Sequence, residues 1–102
     1  MGESTKYPSL EGRSVFVTGG ATGIGAAMVE AFAQQGASVA FVDLDADSAA
    51  SLCARLEDHI GIRPWFRQID VTDTEALQEA IAAAVQEQGP LQALINNAAN
   101  DN

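Results

Sequence analysis

Gly19, Gly23 and Gly25 are crowded into one short segment, VTGGATGIGAA at residues 17–27, between an apolar run and a helical pattern. Glycine has no side chain to keep a ligand away from the backbone, and it tolerates positive φ angles. Phosphate groups bind well where backbone N–H groups converge at the beginning of a helix. The segment therefore predicts a phosphate-binding loop, to which Thr22 adds a hydroxyl donor. The alternative is a tight turn from a strand into a helix that binds no ligand.

The spacing of these glycines narrows the kind of loop that is expected. It is Gly-x-x-x-Gly-x-Gly directly after Thr18, which differs from the Gly-x-Gly-x-x-Gly of the common dinucleotide fingerprint. A P-loop has Lys-Ser or Lys-Thr after its glycines, whereas the only lysine of this chain is Lys6. The loop is therefore not expected to be a P-loop.

An acidic residue, Asp43, ends the next apolar run about 20 residues after the glycines, where dinucleotide-binding proteins hold the adenosine ribose. Its carboxylate can accept hydrogen bonds from both ribose hydroxyls. The same charge would repel a 2′-phosphate, and no arginine follows in the segment DLDAD to bind one. The sequence thus favours NAD over NADP. As an alternative, Asp43 or Asp45 caps the helix that follows.

Two further polar segments come at the ends of later apolar runs. Asp70 and Val71 end the third run, where the carboxylate suits an adenine amino group and the valine offers an apolar contact. The segment NNAA at 96–99 ends the fourth, and adjacent asparagines suit either a polar crevice wall or an ordinary turn. Ligands collect at the carboxyl ends of the strands in a doubly wound sheet, so both segments are candidates for one site.

Composition and charge argue against several other functions. A chain of 102 residues forms one domain at most, and its net charge of −9 disfavours nucleic acid or an anionic membrane as a partner. Cys53 is expected in a helix core and His59 in the last turn of the same helix, and each is the only residue of its type, so no metal site is expected. No signal peptide and no apolar span of about 18 residues is found, so we expect a cytoplasmic protein.

The candidate residues require elements that bring the ends of several strands together. Short apolar runs predict four strands, at 14–18, 38–43, 64–71 and 91–96. The stretches between them repeat apolar residues at helical spacing, and Thr72 and Glu75 match a capping box at the start of the third helix. The predicted order is β-α-β-α-β-α-β, an α/β fold with a parallel sheet covered on both faces. The polar residues 1–12 are expected to be a leader.

Together these segments resemble the short-chain dehydrogenase/reductase family over nearly the whole chain. TGGATGIG is similar to the family's Thr-Gly-x-x-x-Gly-x-Gly motif, and Asp70-Val71 to its adenine-contacting pair. NNAA is similar to its Asn-Asn-Ala-Gly motif, with Ala99 where glycine is usual. The resemblance implies that residues 13–102 form the first half of a Rossmann doubly wound sheet, the N-terminal NAD-binding part of a larger single domain.

The resemblance also assigns residues to the parts of the cofactor. The glycine loop would surround the pyrophosphate with Gly19, Thr22, Gly23, Ile24 and Gly25. The adenosine would be held by Asp43 at the ribose and by Asp70 and Val71 at the adenine. The ribose nearer the nicotinamide would lie along Asn97 and Ala98.

The family transfers a hydride from a carbinol carbon to the nicotinamide, with a tyrosine base, a lysine four residues later and a serine. These groups are expected after Asn102, because Tyr7 and Lys6 are adjacent to each other in the leader. We therefore predict no dehydrogenase turnover from residues 1–102 alone, weak NAD binding, and self-association through an exposed fourth strand.

The segments YPSLEG and NNAANDN are most similar to the aldose 1-dehydrogenases of the family, which oxidise a free sugar at its anomeric carbon. A sugar or another secondary alcohol is thus the expected substrate, and a homo-oligomer the expected assembly. Two other hypotheses stay open: a nucleotide-binding or interaction module without catalysis, and a methyltransferase-like domain. The glycine spacing and the NNAA segment disfavour the second.

Overall fold

The computed structural model describes residues 12–97 of the chain. Strands and helices alternate in the predicted order: β1 (Ser14–Thr18), α1 (Gly23–Gln34), β2 (Ser38–Asp43), α2 (Ala46–Ile60), β3 (Trp65–Gln68), α3 (Thr74–Gln88) and β4 (Leu91–Asn96). The strands form one parallel sheet in the order β3-β2-β1-β4. The chain therefore moves outwards from β1 to β3 on one side and then crosses to the other side of β1, which confirms the first half of a doubly wound sheet.

The two central strands are buried on both faces, as their unbroken apolar runs predict. Val15, Val17, Val39 and Phe41 point to one face, where they pack against α1 and α2. The residues between them, such as Phe16, point to the opposite face and pack against α3. The predicted covering of the sheet on both faces is confirmed.

The edge strands are more exposed than the central pair. At the β3 edge, the ring of Phe66 lies 5.0 Å from that of Phe41 and extends the core. At the β4 edge, Leu94 leaves 52% of its surface exposed, although its strand pairs with β1 from Leu91 to Asn96 with one register shift. The fourth strand is thus an exposed, partly apolar edge of the described sheet, as expected from the sequence.

The third strand is shorter than predicted. It covers Trp65–Gln68 instead of 64–71, and the amide of Ile69 makes one last bond of 3.3 Å to the carbonyl oxygen of Asp43. The chain then turns away because the Asp70 carboxylate accepts the Thr72 N–H, and the Asp70 carbonyl accepts the Asp73 N–H. These local bonds replace further strand pairing.

The predicted capping box of the third helix is wrong. Asp73 caps α3, and its carboxylate accepts the N–H of Ala76 at 3.1 Å. The Thr72 hydroxyl points instead to the Asp70 carboxylate, to which it donates at 2.7 Å, and Thr72 lies one residue before the N-cap. A carboxylate one residue later outcompetes the hydroxyl, because it is a charged acceptor at the positive end of the helix.

Cys53 and His59 occupy the places that the helical pattern predicts for them. Cys53 is buried, and burial raises the pKa of its thiol. His59 lies in the last turn of α2, with its Nδ1 2.8 Å from the carbonyl oxygen of Arg55.

Within residues 12–97 no cluster of three potential metal-ligating side chains is found. None of the helices in that range is long and apolar enough to cross a membrane.

Candidate binding site at the carboxyl ends of the strands

The glycine loop joins the end of β1 to the start of α1 in a conformation that depends on its glycines. Gly19 and Gly23 have φ angles of 70° and 59°, in the left-handed region that other residues rarely adopt. Gly25 is buried, and a Cβ there would overlap the carbonyl oxygen of Gly19 and lie 2.8 Å from the Asn97 amide nitrogen. The first turn of α1 therefore lies directly against the loop.

The N–H groups early in the loop and those at the start of α1 differ in their acceptors. Those of Gly19 and Gly20 donate to the carbonyl oxygen of Val42, which fastens the loop to β2. Those at the first turn of α1 have no acceptor within the helix. Thr22 is the N-cap residue, and its side chain makes no capping bond.

The start of α1 is also the only one of the three described helix starts without an acidic residue in its first turn. In α2 and α3, aspartate side chains cap the helix and accept first-turn N–H groups. At α1 the donors and the positive end of the helix dipole remain available to an anion.

Asp43 lies beside the loop, and both of its carboxylate oxygens accept a backbone N–H. Oδ2 accepts from Ala21 at 3.0 Å, and Oδ1 accepts from Asp45 at 3.0 Å. A carboxylate has about four acceptor positions, so each oxygen can accept a further bond from a ligand hydroxyl. The alternative role of helix cap falls to Asp45, which accepts the Ser48 N–H at 3.0 Å. The bonds from the Ser48 backbone and hydroxyl lower the pKa of Asp45.

A cavity of about 200 Å³ brings four of the predicted residues together at the ends of β1, β2 and β3. It is lined by Gly19, Asp43, Leu44, Ile69, Asp70 and Val71. Leu44 is 61% exposed, and together with Ile69 and Val71 it gives the cavity an apolar lining. Leu44 was not predicted as a site residue, although an apolar residue directly after Asp43, the acid predicted to bind ribose, was a usable signal.

Asp70 presents its carboxylate at the mouth of this cavity. Its Oδ1 accepts both the hydroxyl of Thr72 at 2.7 Å and the Thr72 N–H at 2.9 Å. These two bonds lower the pKa of Asp70, the hydroxyl bond more than the backbone bond. The carboxylate is thus held ionised and fixed in orientation, with Oδ2 left to accept from a ligand.

The end of β4 reaches the loop from the other side. The side-chain amide of Asn97 donates to the Gly19 carbonyl oxygen at 3.0 Å, and the hydroxyl of Thr18 donates to Asn96 Oδ1 at 3.0 Å. Asn96 and Asn97 therefore join β4 to β1 and to the glycine loop. An ordinary turn would not require these two bonds. Ala98, Tyr7 and Lys6 lie outside the described residues.

A larger cavity of about 300 Å³ lies between α1 and α2. None of the predicted site residues lines it, and its one cationic group, Arg55, pairs with Glu30 at 2.9 Å. The smaller cavity is therefore the candidate site, because the loop glycine, two carboxylates and two apolar walls meet there.

The sequence matches a family model of dehydrogenases and individual dehydrogenases. A family model described as short chain dehydrogenase matches residues 13–102. A probable galactose dehydrogenase of Rhizobium meliloti (strain 1021) is 49% identical over 98 residues, which cover 96% of this chain and 38% of that protein. A D-xylose 1-dehydrogenase of Caulobacter vibrioides is 40% identical over 98 residues, with the same coverage of 96% and 38%.

Solved structures agree with the fold. A variant of a short-chain dehydrogenase/reductase from Serratia marcescens superposes with a TM-score of 0.84 at 38% identity, over 91% of this chain and 38% of that one. The L-sorbose reductase of Gluconobacter frateurii, complexed with NADPH and L-sorbose, superposes with a TM-score of 0.81 at 27% identity, over 90% of this chain and 35% of that one. The chain thus spans about 38% of the length of the curated relatives it matches.

Proposed function

The chain belongs to the short-chain dehydrogenase family, and from this premise we propose that it supplies the NAD-binding part of a dehydrogenase that oxidises a sugar at its anomeric carbon. Residues 13–102 would be the N-terminal part of the Rossmann domain, and residues 1–12 a leader. The partner would be a small molecule, a sugar or another secondary alcohol, and we propose a cytoplasmic homo-oligomer that binds neither nucleic acid nor membranes.

The start of α1 is the observation that carries the nucleotide-binding proposal. It combines first-turn N–H donors, the absence of an acidic residue in that turn, and a buried Gly25 whose Cβ would overlap the loop. A pyrophosphate needs all three features, since it must approach the backbone closely and meet no negative charge. We assign the pyrophosphate to Gly19, Thr22, Gly23, Ile24 and Gly25.

The adenosine is assigned to the cavity of about 200 Å³ beside the loop. Asp43 would accept from the ribose hydroxyls, and its charge supports NAD over NADP because a 2′-phosphate would be repelled. Leu44 and Val71 would contact the faces of the adenine, and the Asp70 carboxylate its amino group. Asn97 and Ala98 would lie along the second ribose.

A bound nicotinamide cofactor would supply the acceptor for a hydride from the substrate carbon. The described residues would contribute binding and orientation, and we place the catalytic tyrosine, lysine and serine after Asn102 in a longer protein. The sugar specificity rests on relatives that are described as a probable galactose dehydrogenase and a D-xylose 1-dehydrogenase.

The test is a titration of the purified chain with NAD, NADP and S-adenosylmethionine, followed by amide chemical shifts. We expect NAD to perturb the glycine loop and the Asp43 region at lower concentration than NADP does, and S-adenosylmethionine to have no effect there. In Asp43→Ser, the preference for NAD over NADP should fall about 10-fold, since the repulsion is removed. Tighter binding of NADP by the unchanged chain would contradict the cofactor assignment, and the absence of any nucleotide effect would contradict the whole proposal.

A further inference from the structure

Gln68 makes a side-chain bond to Leu44, one of the residues that line the candidate site. It is the last residue of β3 and lies opposite Asp43 in the pairing of β2 with β3. Its side-chain amide Nε2 donates to the carbonyl oxygen of Leu44 at 3.0 Å. The bond joins residues that are 24 positions apart, so it is a tertiary link between two strand ends.

This link comes where the regular pairing of the two strands stops. The final backbone bond, from the amide of Ile69 to the carbonyl of Asp43, is 3.3 Å long. Beyond it, the chain after β2 forms one wall of the cavity with Leu44, and the chain after β3 forms the other with Asp70 and Val71. The Gln68 amide is thus the next connection between the two walls.

The backbone of Leu44 is held by hydrogen bonds more than by burial of its side chain, because 61% of the residue's surface is exposed. Its carbonyl accepts two bonds, from the Ala46 N–H at 3.1 Å and from Gln68. The first bond is within the turn itself. Of these two bonds, only the one from Gln68 joins the Leu44 carbonyl to β3, and it adds to the longer bond from the Ile69 amide to the Asp43 carbonyl.

We propose that Gln68 is a positioning residue that sets the separation of Leu44 from the Asp70–Val71 wall and so raises the affinity of the site for an adenine nucleotide. This inference rests on the proposed function, because it takes the adenosine half of the cofactor as the ligand. A purely structural role would instead lower the stability of the whole chain, which is not expected for an exposed side chain.

The test compares Gln68→Leu, which keeps the size of the side chain and removes the donor, with Gln78→Leu, which changes an exposed glutamine on α3. AMP and inorganic pyrophosphate are titrated into each chain and followed by amide chemical shifts. Loss of one hydrogen bond predicts about 2- to 10-fold weaker AMP binding in Gln68→Leu. Pyrophosphate binding and the midpoint of urea unfolding should stay as in the unchanged chain, and Gln78→Leu should change none of the three.

Amide hydrogen exchange of the ligand-free chains gives a second measurement. Gln68→Leu should speed the exchange of the Asp45 and Ala46 amides, while the amides of Gly19 and Gly20 stay protected. Unchanged exchange together with unchanged AMP affinity would overturn the inference while leaving the proposed function intact. An equal loss of affinity for AMP and pyrophosphate would overturn it as well, because the effect would then not belong to the adenosine half. A wild-type chain that binds no AMP would contradict the proposed function and this inference with it.

Discussion

At the scale of single residues, the glycine loop shows that three glycines serve two different physical purposes. Gly19 and Gly23 supply positive φ angles, whereas Gly25 supplies room for the first turn of α1 to lie against the loop. The sequence spacing predicted the loop, but it did not distinguish these purposes, because the space at Gly25 is limited by the Gly19 carbonyl and by Asn97, which is far away in the chain.

The variant Gly25→Ala tests this distinction. We expect a loss of about 1–3 kcal/mol in the free energy of unfolding, because the added Cβ overlaps backbone that cannot easily move. Nucleotide binding should be lost with it, since the first turn of α1 would shift. Urea unfolding and an NAD titration measure the two effects.

Gly61→Ala is the matched control. Gly61 ends α2 with a φ of 75°, and a Cβ there would have nothing within 4 Å. We expect a cost of about 1–2 kcal/mol from the left-handed conformation alone, with nucleotide binding unchanged. If Gly25→Ala kept full nucleotide binding, the close approach of α1 to the glycine loop would not have the role assigned to it.

At the scale of elements, the order and type of every strand and helix in residues 12–97 were predictable from periodicity and turn residues. The errors lie at boundaries, where neighbouring groups compete for the same partner. Thr72 satisfies the capping pattern, but its hydroxyl is bound to Asp70, and Asp73 takes the cap. The hydrogen bond from Gln68 to Leu44 was also not predictable from the sequence, because it depends on the register of β3 against β2.

The N-terminus of α3 is expected to depend on Asp73 and not on the Thr72–Glu75 pair. Asp73→Ala should cost about 0.5–2 kcal/mol of unfolding free energy, because it leaves first-turn N–H groups of α3 without an acceptor. Glu75→Ala should cost clearly less, since the predicted reciprocal bond of a capping box does not form. Urea unfolding at neutral pH measures the unfolding free energy of both variants. A larger loss for Glu75→Ala than for Asp73→Ala would support the capping box instead.

In the molecule as a whole, the helices cover some strands of the sheet and leave others exposed. Helices cover both faces of β1 and β2, whereas β4 is the outermost strand on its side of the described sheet, with Leu94 half exposed. An open edge of this kind can pair with another chain.

We expect the purified 102-residue chain to self-associate as its concentration rises, and Leu94→Lys to shift it towards monomer by about 10-fold in the association constant. A charged side chain at the edge disfavours strand pairing with a second copy. Sedimentation velocity over a range of concentrations measures the effect. Ile62→Lys, which removes a different exposed apolar side chain, should leave association unchanged. A wild-type chain that stays monomeric at high concentration would contradict the prediction.

The bond between Asp43 and the Ala21 N–H has a consequence for how cofactor preference can evolve. The carboxylate that would exclude a 2′-phosphate also fastens the middle of the glycine loop. A single substitution that admits the phosphate therefore loosens the loop that both cofactors share. A lineage that changes from NAD to NADP at this site is expected to acquire a second, compensating acceptor for the Ala21 amide, so that the two substitutions are inherited as a pair.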